Sequence, residues 1–511
     1  MENKINKKDE LTPTQFMEMR LKNSENLCTN FVSTTTIHSI VSKYKNVYSP
    51  KDGTDIRDRK TRVFFVGRVY SIRIQSKKLM FMTLGQQGSS TIQVIADLNE
   101  YMGITPFDKI FNDIYCGDIV GIIGFMGVSK RGELSVYIYT RPKLISKCLI
   151  QLPQSSRDNT SLLSRTQCRV LDYVANSMLR DFIVLRSNTN KKLEDYLHSQ
   201  GFTGVNTSIL SLEVGGASAK PFKTLFNEMG KEGYMRVSPE LFLKELIASG
   251  IVRVYERGPS FRNEGIDGTH SPEFEMIEGY MADMSYEDMI KLMHALFNIL
   301  IPNSQLNLKD KFGNNVLIDF SKPFARMDIM TELTKRYGTF PDDLSSDDAK
   351  RFLYPLCMKL GLNVTNQTSN AKLMDKIIST IEDVCVQPTI LEGHPMILSP
   401  LSLEDPNRKG IAVRGELFMM NTEIANFYCD EYDSIRQAAN FNREEQNRKA
   451  GDDETQTFNQ QFIKSLQLGM YPTSSFGIGL DRIFMFILES INTNRSRPIT
   501  IHDVRSFPMG C

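Results

Sequence analysis

A chain of 511 residues with 41% apolar content has room for two to four domains and a sizeable core, and its +1 net charge (61 basic against 60 acidic residues) argues against a protein coated in nucleic acid. The longest apolar run, Ile119 to Val128, is short and broken by glycines, which argues against a membrane span. Eight cysteines without a C-x-x-C pair suit reduced thiols rather than a disulfide framework or zinc site, and six widely spaced histidines offer no histidine-rich metal centre.

The first ten residues are polar and expected to be disordered. Thr12 or Thr14 stands where an N-cap belongs, predicting a helix through about Asn26, and a second helix is expected over His38 to Tyr44. No apolar signal core precedes them and no early arginine suits a transit peptide, so the cytoplasm is the expected location. From Thr61 to about Arg141 the texture changes to short β-rich runs: TRVFFVGRVYSIRI, KLMFMTL, TIQVIAD, DIVGIIGFMGVS and ELSVYIYTR. Five such runs, with a helix at Pro106 to Asn112, predict a small Greek-key barrel of the OB type. Between Thr61 and Asp97 stand Arg62, Arg68, Arg73, Lys77 and Lys78 against Asp97 alone, interleaved with Phe81. Single-stranded RNA asks for that mixture of phosphate attraction and a stacking ring; a core phenylalanine under a solubilising surface reads the same way.

Residues 146–165 read as a linker, which gives an N-terminal extension (1–60), a barrel (61–145) and a body (166–511). In the body, helices are predicted over Leu179–Ser199, Glu240–Ala248, Tyr286–Leu300, Ala325–Arg336, Asp347–Leu360, Asn370–Val384, Asp433–Arg448 and Asn459–Leu468, without internal repeats. The expected class is α+β, a mixed and largely antiparallel sheet flanked by helices.

Five stretches concentrate chemistry. Phe261 to Tyr280 reads as a hairpin with a mobile loop over Gly265 to Ser271. Alternation puts Phe274, Met276, Glu278 and Tyr280 on one face, and Arg262 with Glu264 on one face of the first arm. Such a surface suits a ligand with both anionic and cationic parts, although a charged hairpin can also be a plain solvated edge. The pair Gly215-Gly216 lets backbone amides approach an anion, or makes only a turn. Glu240 follows Pro239 at a helix start, where a carboxylate holds a ligand ammonium or simply favours the helix dipole. In RGELFMMNTEI, a turn at Met420-Asn421 would set Phe418 opposite Glu423, with Glu416 a diagonal neighbour roughly 7–8 Å away. That separation lets two carboxylates share a hard cation such as Mg²⁺; surface glutamates are the ordinary alternative. Simple alternation would then turn Asn426 away from Glu423, so a bend or bulge is needed between them. Gly477-Ile478-Gly479 stops short of a dinucleotide fingerprint because Arg482 takes the place of the third glycine.

F-R-N-E-G followed by T-H-S-P-E-F resembles the second signature motif of class II aminoacyl-tRNA synthetases, in its lysyl-tRNA synthetase form. GGASAKPF, YMRVSPELFLKEL, HPMILSPLS, PTSSFGIGLDRIFMFIL and HDVRSFPMGC resemble further blocks of that family in order, LTPTQFMEMR its entry helix, and VGRV, IQV and GELS its anticodon-binding barrel. The resemblance implies a homodimeric ligase that joins lysine to tRNA(Lys) using ATP and Mg²⁺, with no membrane or DNA partner. It implies catalytic roles for Arg262, Glu264 and Arg482. Lysine would be held by Gly216, Glu240, Arg262, Glu278, Tyr280, Asn426, Tyr428 and Asp430. ATP would be held by Arg262, Glu264, His270, Phe274, Glu416 and Arg482, the metal by Glu416 and Glu423. Arg68, Phe81, Gln93 and Glu133 would read the anticodon.

Three places depart from the family pattern: Ser208 replaces a proline of the dimer-building first motif, Ser474-Ser475-Phe476 replaces a glycine-containing run, and Asp430 replaces a glutamate. The last is one methylene short, which throws side-chain recognition onto Glu278. An aspartyl or asparaginyl enzyme shares the motifs but needs a cationic pocket; a silent tRNA-binding paralogue would have no use for Arg262, Glu416, Glu423 and Arg482, and no interaction tail supports a scaffold.

Overall fold

In the computed structural model, which describes residues 12–22, 27–28, 30–48, 56–86, 88–152, 169–449, 455–492 and 498–508, Thr12 is the first N-cap. Its hydroxyl accepts from the Gln15 amide while the Gln15 side chain accepts from the Thr12 amide, closing the first turn of helix Pro13–Lys22. The expected disorder of residues 1–10, most of the linker (153–165) and the closing Met509-Gly510-Cys511 lie outside the described residues. The chain divides into two compact units between Leu185 and Arg186, within helix Ser177–Ser199.

In the first unit, strand Ile56–Ser76 starts earlier than the sequence suggests and alternates Val63, Phe65 and Val69 inward. It pairs with both Leu79–Gly85 and Ile119–Val128. Leu79–Gly85 pairs with Thr91–Asp97, which runs parallel to Leu134–Ile138, and that strand returns to Ile119–Val128. Five strands thus form a closed ring around an aliphatic core, and Lys143–Ser146 adds a sixth. The helix predicted at Pro106 to Asn112 shortens to one 3₁₀ turn, Phe107–Lys109. Helix Ile37–Tyr44, capped by Thr36, seals the core with Ile37 and Ile40.

The second unit is organised around an eight-stranded sheet in the order Ala325–Asp328, Thr389–Glu392, Arg414–Met419, Thr422–Cys429, Thr473–Gly479, Glu273–Ala282, Arg253–Phe261 and Thr203–Gly204. Only the two outermost pairings are parallel, so the sheet is mixed and largely antiparallel. Two hairpins form its centre, joined by Thr473–Gly479, which pairs with an arm of each. That strand passes straight into helix Leu480–Ile491, whose apolar residues pack under the sheet. Most predicted helices recur within a residue or two. Ala325–Arg336 is the exception: its first four residues form a strand beside Thr389–Glu392, and the helix proper, Ile329–Tyr337, begins after the Asp328 cap.

Candidate active site

The central strands line a cavity of about 540 Å³, of a size that takes a small-molecule ligand. Glu278 and Tyr280 come from Glu273–Ala282, Glu416 from Arg414–Met419, and Glu423, Asn426 and Tyr428 from Thr422–Cys429. The hairpin tip at Met420 and Asn421 has both residues left-handed (φ 51° and 61°), the mirror-image turn that matches strand twist. Phe418 opposes Glu423 and Glu416 opposes Asn426, with a bulge at Ile424 between them. The bulge brings Glu416, Glu423 and Asn426 to one face despite the odd spacing of the last two. In the other hairpin the strand stops at Phe261, so Arg262 and Glu264 sit in the following loop rather than on the arm, yet both line the cavity.

Around Glu278 the cavity wall is acidic. Glu278 is 4% exposed; its two oxygens accept from the Ser238 hydroxyl at 2.7 Å and the Tyr280 hydroxyl at 2.9 Å. Burial first, then the nearby charge of Glu240, push its pKa up to about 7 against the pull of those hydroxyls and of Arg262. Gly216 lies alongside with φ +92°, and a Cβ there would stand 3.1 Å from that of Glu240, so both backbone shape and close approach require glycine. Glu240 contacts the Lys244 ammonium at 2.7 Å, one helical turn on. Asp430 does not line the cavity: it is fully buried behind it, 2.8 Å from the same ammonium.

Elsewhere the lining gathers arginines beside acids. The Arg262 guanidinium lies 5.1 Å from the Phe274 ring, and its Nε is buried without a hydrogen-bond partner. Arg482 donates to the Glu423 carbonyl at 2.7 Å, stands 3.5 Å from the Glu423 carboxylate and reaches His270 at 3.1 Å. His270 also contacts Asp267 at 2.8 Å. Glu264 accepts from the Lys220 amide. Burial and Glu416 raise the Glu423 pKa, while Arg414 holds Glu416 at 2.5 Å and Asn426 at 3.1 Å. Among the described residues no group of three or more His, Cys, Asp or Glu side chains forms a cage for a metal. Two hard carboxylates lining one cavity are nevertheless what Mg²⁺ uses when substrate phosphates complete its shell, so the residues fit that ion.

In the first unit Gln93 donates to Glu133 at 2.6 Å and accepts from Ser135 at 3.0 Å, fixing a small polar cluster. Arg73 lies 4.7 Å from the Phe81 ring. Arg68 donates to the Gly117 carbonyl at 2.8 Å.

Sequence reasoning missed Ser238, Arg414, His394 and Lys244. Arg414 was within reach, since period-two spacing puts it on the face of Glu416. His394 is held neutral by burial and by Arg414. Glu382, from helix Asn370–Glu382, is a further omission: burial first, then Glu416, raise its pKa to about 7. No local sequence signal connects it to the hairpin.

A family model described as class II tRNA synthetases (D, K and N) matches residues 161–510. A lysine–tRNA ligase of Cladosporium cladosporioides is 32% identical over 501 residues, 96% of this chain and 82% of its own. A probable cytoplasmic lysine–tRNA ligase of Vairimorpha ceranae is 31% identical over 517 residues, covering 98% and 96%. A lysine–tRNA ligase of Thermotoga maritima is 33% identical over 506 residues, covering 97% and 96%. With its largely antiparallel sheet, the second-motif hairpin and the PTSSFGIGLDR segment lining one cavity, and this likeness along nearly its whole length, the chain belongs to the class II tRNA synthetases of the D, K and N group.

Proposed function

We propose that the protein is a lysine–tRNA ligase that activates lysine with ATP as lysyl-adenylate and passes the lysyl group to tRNA(Lys). The observation that carries the reading is Glu278, buried at the amine end with two hydroxyl donors and, among the described residues, no ion pair. An ammonium placed there is fully paired, and a substrate without one leaves a carboxylate unmatched. The lysyl relatives support the same choice, because an aspartyl or asparaginyl site would need cations where Glu278 and Glu240 stand.

In this reading a lysine carboxylate oxygen attacks the ATP α-phosphorus in line; the bond to pyrophosphate breaks and its electron pair leaves with pyrophosphate. Positioning and charge neutralisation carry the rate. Arg262 bridges the lysine carboxylate and the α-phosphate. Phe274 and Arg482 sandwich the adenine, Glu264 accepts from its amino group, and His270 meets the γ-phosphate. Gly216 and Glu240 receive the α-ammonium, Glu278 and Tyr280 the ε-ammonium, with Asn426 and Tyr428 closing the wall. Glu416 and Glu423 would hold Mg²⁺, which when bound would supply neutralisation of the polyphosphate charge. A ribose hydroxyl of the tRNA end then attacks the acyl carbon and AMP leaves. The five-stranded ring acts as an OB-type barrel whose Arg68, Phe81, Gln93 and Glu133 read the anticodon. The enzyme works as a homodimer, in the cytoplasm like the relatives named so. Among the described residues no helix is long and apolar enough to cross a membrane.

Lysine-dependent ATP–pyrophosphate exchange tests the reading. Exchange with lysine and Mg²⁺ is expected; exchange driven by aspartate or asparagine instead, or none from folded protein, would overturn it.

A further inference from the structure

We propose that Lys244 is a specificity-determining positioning residue: its ammonium ties Glu240, in the cavity wall, to Asp430 behind it, and leaves Glu278 to meet the substrate side chain. The inference rests on the lysine reading and deepens it.

Three carboxylates converge on this end, and Lys244 is fully buried between two of them, 2.7 Å from Glu240 and 2.8 Å from Asp430. It also donates to the Leu401 carbonyl at 3.2 Å and lies 5.4 Å from the Tyr428 ring. Burial alone would strip its proton, but Asp430 and Glu240 outweigh burial and hold its pKa above the ordinary lysine value. Once all three carboxylates are ionised, as with lysine bound, they and the one fixed ammonium leave two negative charges, which match the two ammonium groups of free lysine. Asp430 Oδ2 is buried without a hydrogen-bond partner, and Asp430 does not line the cavity. Its carboxylate therefore serves the internal ammonium rather than the ligand. Lys244 in turn fixes Glu240, since residues four apart on a helix share a face.

The test is a cycle of Lys244→Met, Asp430→Asn and the double variant, with KM for lysine, KM for ATP and thermal melting measured on each. Lys244→Met is expected to raise the lysine KM about tenfold or more while the ATP KM stays put, because two buried carboxylates lose their cation. The double variant returns one negative charge to neutrality and should recover most of that loss. A folded Lys244→Met with unchanged lysine KM, or a double variant no better than the single, would overturn the proposal. If Lys244→Met does not fold, Asp430→Asn decides: an unchanged lysine KM there also overturns it. Absence of lysine-dependent exchange in the unsubstituted enzyme would sink the lysine reading itself, a separate result.

Discussion

In the proposed reading two regions of the cavity use the same residue, glutamate, for opposite purposes, and the neighbours make the difference. Glu278 is enclosed by hydroxyls, which satisfy its oxygens without cancelling its charge. Glu416 and Glu423 face guanidinium groups, Arg414 at 2.5 Å and Arg482 at 3.5 Å, and each other. A carboxylate held by neutral donors has no internal counter-charge, so its charge, once ionised, is left for an organic cation in a dry pocket. Carboxylates beside arginines form a mixed field that fits phosphates together with a hard cation. Composition alone does not separate an amine site from a phosphate site; the partner of each acid does.

The sharpest way to break this contrast is Glu278→Gln, which keeps shape and removes charge. It is expected to lower kcat/KM for lysine about a thousandfold or more in pyrophosphate exchange, because the substrate ammonium is then buried unpaired. A loss under tenfold would mean that the amine end does not discriminate by charge. Glu416→Gln probes the other end. There kcat should fall roughly 10- to 100-fold and the Mg²⁺ needed for half-maximal rate should rise, with the lysine KM unchanged. A shift in lysine KM instead would merge the two ends. The gentlest probe is pH. The Glu278 carboxyl, raised from 4.5 to about 7, holds a proton in the folded state that the unfolded chain has already lost. Folding stability therefore drops as pH climbs from about 4.5 to about 7, and Glu278→Gln should flatten that part of the melting profile. Lysine affinity runs the opposite way, since the carboxylate must ionise to bind: about tenfold weaker per unit below pH 7, measured by calorimetry. Affinity independent of pH there would remove Glu278 from the ammonium.

Much of this was legible before any coordinates. The helix Glu240–Ala248 and the hairpin arms follow from periodicity and turn residues, and thirteen of the fourteen residues assigned to the body's site line the cavity. The fourteenth, Asp430, is legible as a departure but not as a displacement: a missing methylene says that a carboxylate retreats, not what it retreats to. Lys244 was hidden because a lysine four residues after a glutamate normally marks a solvated helix face. Ala325–Asp328 was read as helix because a four-residue edge strand leaves no periodic signature, and its parallel partner is more than 60 residues away. Glu382 was invisible for the same reason, being brought to the hairpin by tertiary packing alone.

The bulge at Ile424 has a consequence for how the gene can vary. Point substitutions leave the strand's length, and so its face assignments, alone. A codon inserted between Glu423 and Asn426 would add a second unpaired residue and either enlarge the bulge or slide Asn426 past Glu416 along the strand. Loss of the codon for Ile424 would let the arms pair regularly while both residues kept their side of the sheet. This hairpin is thus more tolerant of being shortened by one residue than lengthened by one, an asymmetry to look for among naturally diverged copies.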